Sequence, residues 1–524
     1  MAGKSMRVFD LVCLAMLPVW MSLGVAAAEP PNILLIVSED NGPELGCYGD
    51  PHARTPNLDK LAAEGLRFNR AFVAQAGCSQ SRASFLTGLY PHQHGQIGLA
   101  TWGFHMYRPD TPNLPHSLKA IGYRTGIIGK LHVNPESAFP FDFAEINGAN
   151  FNRKKLTDYA RYAESFFTAD TSPFFLSVNY PDAHDPWLRQ VDGRPAHPQN
   201  GADIQAMPYM GIDPPEMREM VADYYNSLER LDSHVGDLLA ALQRSGKADN
   251  TLVIYLGDHG ADFFRGKRTS YEGGLRIPLI VRWPGHIKPH TREDLVSTVD
   301  LMPTVLTATG AQPVSGLAGQ PWQPLFQGTP VVWRTHLFSE YHTHAAAANY
   351  HPQRAVRNDR FKLIENLLPD TVNPDYADTF RKLEGEAVKR GQPSFKGFLS
   401  RTISSASPTI RAAYGVMEKP PRYELYDLKS DPFEFHNLAS SPETSAILDE
   451  LKKQLTTWRQ QTHDPLLDET NLQRLTAEVT AVQSKAEGKT LTWRYPDYFF
   501  GKAPAETAAS KKNKKKSRTK KNTN

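Results

Sequence analysis

Cys78 and Arg82 stand four residues apart in "AGCSQSRASFLTG", with Ser79, Gln80 and Ser81 between them. The chain has only three cysteines in 524 residues, so one set among small polar residues and an arginine calls for a chemical reason. Residues 79–88 predict a helix that stops at Gly88. Cys78 then lies at its N-terminus, and Arg82 turns to the same face. Carboxylates offer the complement. Glu39 and Asp40 close the apolar run "PNILLIVSED", and Asp258 closes "NTLVIYLGDHG", followed by His259. Clustered acids repel unless a cation holds them, and hard oxygen donors suit Ca²⁺ or Mg²⁺. Bases complete the set. Lys130 and His132 in "GKLH" are predicted on one face of an extended segment. His184 lies in "DAHDPW" and Lys267 in "RGKRTSYEGG". Each residue alone is an ordinary cap, core or surface group. Together they describe a cationic wall facing a metal, which stabilises a tetrahedral oxyanion, with histidines able to protonate a leaving group. A thiol protease or redox enzyme also uses a cysteine at a helix N-terminus, but neither needs the acids.

These residues need a scaffold that brings strand ends together. The stretches 31–40, 172–187 (a strand leading into a polar loop), 250–260 (ending in charged residues) and 277–285 read as strands, the apolar ones buried. Helical patterns at 55–65, 79–88, 114–122 and 217–246 alternate with them. The pattern predicts an α/β fold: a large mixed, mostly parallel sheet flanked by helices, with its chemistry at the C-terminal ends of the strands. After about residue 335, short strands with turns and an amphipathic helix at 442–465 predict a smaller C-terminal α+β domain.

With those residues in place, "CSQSRASFLTG" resembles the type I sulfatase signature, Cys-x-Pro-Ser-Arg followed by Leu-Thr-Gly. "GYRTGIIGKLH", "GDHG" and "KRTSYEGGLRIP" follow in that family's order. The likeness covers roughly residues 30–465 and is nearest to the N-sulfoglucosamine sulfohydrolase branch, through "TGIIGKLHVNPESAFPFDFA", "RYELYDLKSDPFEFHNLA" and "WRQQTHDP". The resemblance implies an alkaline-phosphatase-like fold and a sulfated saccharide substrate, with glucosamine N-sulfate of heparan or heparin as the best single choice. It implies one Ca²⁺ held by Glu39, Asp40, Asp258, His259 and the modified Cys78. It also implies that a formylglycine-generating enzyme oxidises Cys78 to formylglycine, whose hydrate attacks sulfur. Arg82 would steady that hydrate, and Lys130, His132, His184 and Lys267 would hold the sulfate and serve the leaving group. Three positions depart from the family pattern: Glu39 replaces Asp, His259 replaces a common Asn, and Gln80 replaces the signature proline that the maturation enzyme reads. Sugar specificity is expected in loops 187–215 and 341–352. An O-sulfatase, a phosphodiesterase or phosphonate hydrolase of the same superfamily, and a non-catalytic binder of sulfated glycans are the competing readings.

The ends of the chain set its destination. "MAGKSMR" followed by an apolar stretch ending in Ala26-Ala27-Ala28 reads as a signal peptide over 1–28. No later segment is apolar and long enough to predict a transmembrane anchor. Residues 29–334 are then the catalytic domain, 335–500 the C-terminal subdomain and 501–524 a basic tail. Eight Lys and Arg lie in 510–524, more than the whole chain's net charge of +3, so the body is acidic. Such a body argues against nucleic-acid binding, and a solvated tail is the simplest reading of the rest. Two cysteines after the signal, and no Asn-x-Ser/Thr sequon, fit an exported bacterial protein, periplasmic or secreted. One Cys47–Cys78 bridge is compatible with the count.

Overall fold

The computed structural model describes residues 29–390 and 397–501. The expected signal peptide and all but the first residue of the basic tail lie outside them. Nine strands form the main sheet: β1 Asn32–Ser38, β2 Leu66–Phe72, β3 Arg124–Gly129, β4 Phe143–Glu145, β5 Phe174–Tyr180, β6 Thr251–Gly257, β7 Arg276–Arg282, β8 His290–Arg292 and β9 Val296–Ser297. Their order is β4-β3-β5-β1-β6-β7-β2-β8, with β9 also on β2. β4 through β6 in that order run parallel, whereas β7 pairs antiparallel with both β6 and β2. The sheet is mixed and mostly parallel, as expected.

Alternation explains why these runs are strands. In β1, Ile33, Leu35 and Val37 enter one core, and Leu34 and Ile36 enter the core on the opposite face. β6 divides in the same way, Leu252, Ile254 and Leu256 against Val253 and Tyr255. A strand buried on both faces has no polar side, which is why its sequence is continuously apolar. The long helix Pro215–Arg244 covers one face. The helix α1, Pro56–Ala63, sits on that same core, and α2, Cys78–Thr87, covers the other face.

A four-stranded antiparallel sheet follows, ordered β10 Leu337–Tyr341, β11 Gln353–Arg357, β12 Phe361–Asn366 and β13 Tyr423–Asp427. Three helices between 374 and 418 are inserted before β13, and the helix Ser445–Gln461 packs on the sheet. Among the described residues, no helix is long and apolar enough to cross a membrane.

Candidate functional site

Strand register sets the site. Ser38 pairs with Gly257 on one side and Tyr180 on the other, and Gly129 pairs with Asn179. The residues just beyond these pairs, Glu39, Asp40, Lys130, Asp182, His184, Asp258 and His259, therefore emerge along one edge. Gly129 makes the turn after β3: its φ is +89°, and a Cβ there would lie 2.2 Å from the Asn179 carbonyl oxygen.

α2 brings Cys78 to that edge. Gly77 enters the helix in an extended conformation, Gly88 ends it with φ +69°, and all ten helical residues are buried. Arg82 then reaches across the strand ends. Its guanidinium donates to Glu39 (2.6 Å), Asp258 (3.2 Å), the Asn179 side-chain oxygen (2.7 Å) and the Lys130 carbonyl (3.0 Å). Lys130 Nζ lies 2.8 Å from Glu39, and Lys267 Nζ spans both Asp40 oxygens at 2.9 and 3.0 Å. His259 Nδ1 donates to the Gly260 carbonyl (2.9 Å), which aims Nε2 at Cys78 Sγ (3.2 Å), Asp40 (3.4 Å) and Asp258 (3.7 Å).

The electrostatics keep these buried groups charged. Burial alone would raise the Glu39 carboxyl, but Lys130 and Arg82 hold it well below the usual carboxylate range. Asp40 is lowered against the same penalty by Lys267 and His184. Lys267 is lifted well above an ordinary lysine despite burial, chiefly by Asp40. Burial would lower His259, yet Asp258, Cys78 and Asp40 raise it to about 9. His184 goes the other way: burial lowers it, and its Nδ1 donates to the Asp185 carbonyl at 2.6 Å. Phe151 stacks on that ring at 3.9 Å.

A cavity of about 640 Å³ opens onto this cluster. Cys78, Lys130, His132, His184 and Lys267 line it, and Glu39, Asp40, Arg82, Asp258 and His259 are buried behind Cys78. All ten residues singled out in the sequence thus converge on one place. Glu39, Asp40, Cys78 and His184 can each turn one ligand atom into a group spanning no more than 4.8 Å, and Cys78, Asp258 and His259 form an overlapping set. Three convergent carboxylates fit a hard divalent cation. The soft sulfur at Cys78 and the imidazoles of His184 and His259 are the mismatches in those donor sets, and an oxygen-bearing side chain at position 78 removes the first of them.

Three expectations change. β3 ends at Gly129, so Lys130-Leu131-His132 is not an extended segment. His132 has φ +59°, and the left-handed turn brings it back to the cavity beside Lys130. Neither of its ring nitrogens has a partner, and burial drives its pKa well below the ordinary value. Cys47 and Cys78 are both free thiols rather than a bridge. Cys47 lies near Asp59 in a separate cleft, where burial pushes its thiol up to about 12. Loop 187–215 contributes none of the cavity lining, whereas His344 of loop 341–352 does.

Other residues went unread in the sequence. Asn179, the penultimate residue of β5, fixes Arg82 and lies one residue inside the strand end, beside the positions that the strand-end rule picked out. Asp182, buried between Arg230 (2.8 Å) and Arg153 (3.0 Å), accepts Glu39 N–H on its backbone carbonyl (3.1 Å) and so holds the Glu39 turn. Gln80 is also placed: its amide donates to the carbonyls of Thr343 (2.6 Å) and Ile97 (3.3 Å), tying α2 to the loop after β10.

Comparison with known proteins follows the same lines. The family model Sulfatase matches residues 31–311, more than half of the chain, and the model "N-sulphoglucosamine sulphohydrolase, C-terminal" matches 257–373. The chain is 33% identical over 496 residues to human N-sulphoglucosamine sulphohydrolase, covering 86% of this chain and 94% of that one. It is 30% identical to an ulvan-active sulfatase of Formosa agariphila, covering 83% and 80%. Among solved structures, one described as a complex with its substrate D-glucosamine-2-N,6-O-disulfate shares the fold, with a TM-score of 0.61, 20% identity and coverage of 83% and 99%.

Proposed function

The chain belongs to the sulfatase family and is a hydrolase of sulfated sugars, and from that premise we propose that it removes the N-sulfate of glucosamine from heparan or heparin fragments. The observation that carries this substrate is the match of residues 257–373 to the C-terminal model of N-sulphoglucosamine sulphohydrolase, alongside the human relative of that name. The 30% identity to an ulvan-active sulfatase keeps an O-sulfated polysaccharide as the second reading.

Glu39, Asp40 and Asp258, with His259 and the modified Cys78, would hold Ca²⁺, which supplies Lewis-acid polarisation of a sulfate oxygen. Oxidised to formylglycine by a formylglycine-generating enzyme, Cys78 supplies as its hydrate a hard oxygen nucleophile in place of the thiol. The remaining work belongs to side chains already in position. Arg82, fixed by four acceptors, holds the Glu39–Asp258 edge rigid around residue 78. Lys130 and Lys267 face the cavity as point charges on flexible stems and can re-aim toward the sulfate oxygens. His184 has spent its Nδ1 proton on Asp185, so Nε2 is the nitrogen that exchanges a proton with the substrate. His132, with both nitrogens unpartnered, is the second hydrogen-bonding group for the leaving atom. Export to the periplasm or medium of a bacterium, directed by residues 1–28, completes the proposal.

The test is sulfate release from glucosamine N-sulfate, from O-sulfated monosaccharides and from a phosphodiester. Turnover of the N-sulfate supports the proposal. Release from O-sulfates alone overturns the substrate, and preference for the phosphodiester overturns the chemistry.

A further inference from the structure

The cavity is not walled by the α/β core alone. Thr101 and Trp102 line its outer part, together with His344 from the small-sheet side and Lys485 from near the C-terminus. Lys485 begins the short helix Lys485–Thr490, some four hundred residues after Cys78 in sequence. An aromatic lock holds this segment against loop 99–107. Trp493 stacks on Phe104 at 4.1 Å and donates its indole N–H to the Trp102 carbonyl at 3.1 Å. The Tyr495 hydroxyl donates to the carbonyls of Gly95 (2.7 Å) and His105 (3.0 Å), and Phe500 stacks on Tyr107 at 3.9 Å. Gly103 and Gly488 close the fit: a Cβ on Gly103, at φ +79°, would lie 2.5 Å from the Gly488 carbonyl oxygen. Helix 485–490 therefore sits at a fixed place over the rim.

Charge distinguishes Lys485 from the other lysines of the cavity. Lys130 is committed to Glu39 at 2.8 Å and Lys267 to Asp40 at 2.9 Å. Lys485 has no ion-pair or hydrogen-bond partner among the described residues. His344 adds a ring nitrogen, Nδ1, that is buried without a partner. The floor of the cavity has cations for the sulfate that is cleaved, and the exposed Lys485 adds one more that is held by no ion pair, with the exposed Glu136 as the acid that shares this part of the lining.

We propose that Lys485 recognises a second anionic group on the substrate, carried in addition to the sulfate that is removed, and that the segment 485–500 is a specificity element of the site. The inference rests on the sulfatase reading. That group is a second sulfate on the same sugar or the carboxylate of an adjoining uronic acid, and both present the same chemistry to an ammonium. A rim charge of this kind acts on encounter and ground-state binding more than on the chemical step, and salt screens it.

The experiment compares glucosamine N-sulfate, glucosamine N,6-disulfate and an N-sulfated disaccharide bearing a uronate, on the parent enzyme and on Lys485→Ala, Lys485→Glu and Lys485→Arg. The expected result is that Lys485→Ala lowers the preference for a doubly charged over the singly charged substrate about tenfold, through KM rather than kcat. Lys485→Glu lowers it further, Lys485→Arg restores it, and 0.5 M salt erases the difference. Loss of preference for the disulfate alone identifies a second sulfate as the group read; loss for the uronate disaccharide alone identifies a carboxylate. An equal change on all three substrates, or none, overturns the proposal. Calorimetric binding of the disulfate to Cys78→Ser protein, with and without Lys485→Ala, gives a readout free of turnover. Absence of sulfate release from every substrate would remove the sulfatase reading, while Lys485-dependent binding would still stand or fall by itself.

Discussion

Two ionic clusters, each pairing three carboxylates with three lysine or arginine side chains, lie in this molecule, and they differ in what surrounds them. At the strand ends, Glu39, Asp40 and Asp258 face Arg82, Lys130 and Lys267. Between the small sheet and the helix Ser445–Gln461, Glu340, Asp464 and Glu365 face Arg354, Arg459 and Arg422. In the second cluster Arg354 grips Asp464 with two parallel bonds of 2.9 Å, Arg459 adds another of 2.7 Å, and His92 caps Glu340 at 2.5 Å. Arg354 on Asp464 is a planar fork matched to a planar carboxylate, and none of these residues lines the cavity over Cys78. The first cluster replaces two of the three forks with lysines and opens onto about 640 Å³ of space. Charge balance alone therefore does not mark a site. Movable point charges beside a cavity do, and mated forks in a closed interior mark architecture.

The largest effect that tests this contrast is at Cys78. Cys78→Ala should lower sulfate release by about a thousandfold or more while leaving the circular dichroism and the thermal midpoint near those of the parent. A variant retaining a tenth of the activity would move the chemistry elsewhere. Next comes the cation: dialysis against a calcium chelator should cost on the order of a hundredfold in activity, restored by Ca²⁺. Indifference to chelation would return the strand-end acids to the same class as the closed cluster. In that closed cluster, Arg354→Met should destabilise the fold by about 3 kcal/mol, read from urea midpoints, because it removes the two-bond fork from the buried Asp464 and leaves that carboxylate with Arg459 alone as its cation. Its kcat/KM below the transition should stay within about twofold of the parent.

Glu44 supplies a third environment, a buried acid with no ion pair among the described residues. Burial, with Asp50 adding to it, lifts Glu44 from 4.5 to about 7. Between those values the folded chain holds a proton that the unfolded chain has released. The stabilising contribution is therefore whole below about pH 4.5 and is lost as pH rises through 7. Relative to the parent, Glu44→Gln should gain at most about 3 kcal/mol between pH 5 and 8. Parallel urea midpoints across that range would refute the assignment. The smallest effect concerns Gln80, the third residue of α2, whose N–H has no i−4 partner within the helix. A proline is tolerated there, and Gln80→Pro should cost about 1 kcal/mol for the lost bonds to Thr343 and Ile97. Coexpressed with a formylglycine-generating enzyme, it should raise the converted fraction of Cys78, measured by peptide mass. An unchanged fraction would show that the departure from the signature is neutral.

Much of the site was legible because parallel strands are apolar and their ends are not. Glu39-Asp40, Lys130 and Asp258-His259 each follow an apolar run directly, and the register Ser38–Gly257 places the first and last side by side. α2 was legible from Gly88 and from the spacing of Cys78 and Arg82. The antiparallel placement of β7 between β6 and β2 was not, since alternation within a strand carries no sign of its neighbour's direction. The left-handed turn at His132 was hidden for a similar reason: it depends on Gly129 passing against Asn179, a contact between segments fifty residues apart. The outer wall was hidden most completely. Lys485 is an unremarked lysine in a polar stretch, and only the packing of Trp493 and Tyr495 on loop 99–107 gives it a place.

Time enters through Cys78. Its side chain is 1% exposed, every residue of its helix is buried, and it is reached from the cavity that it lines. A sugar sulfate can approach along that route, but another protein cannot bring its own catalytic groups to the sulfur. An enzyme that is to convert this cysteine has to meet it on a chain whose first strands have not yet closed over α2. For the conversion proposed above, maturation and folding would be in a race, and a faster-folding variant of this protein would leave more of its molecules with an untouched thiol.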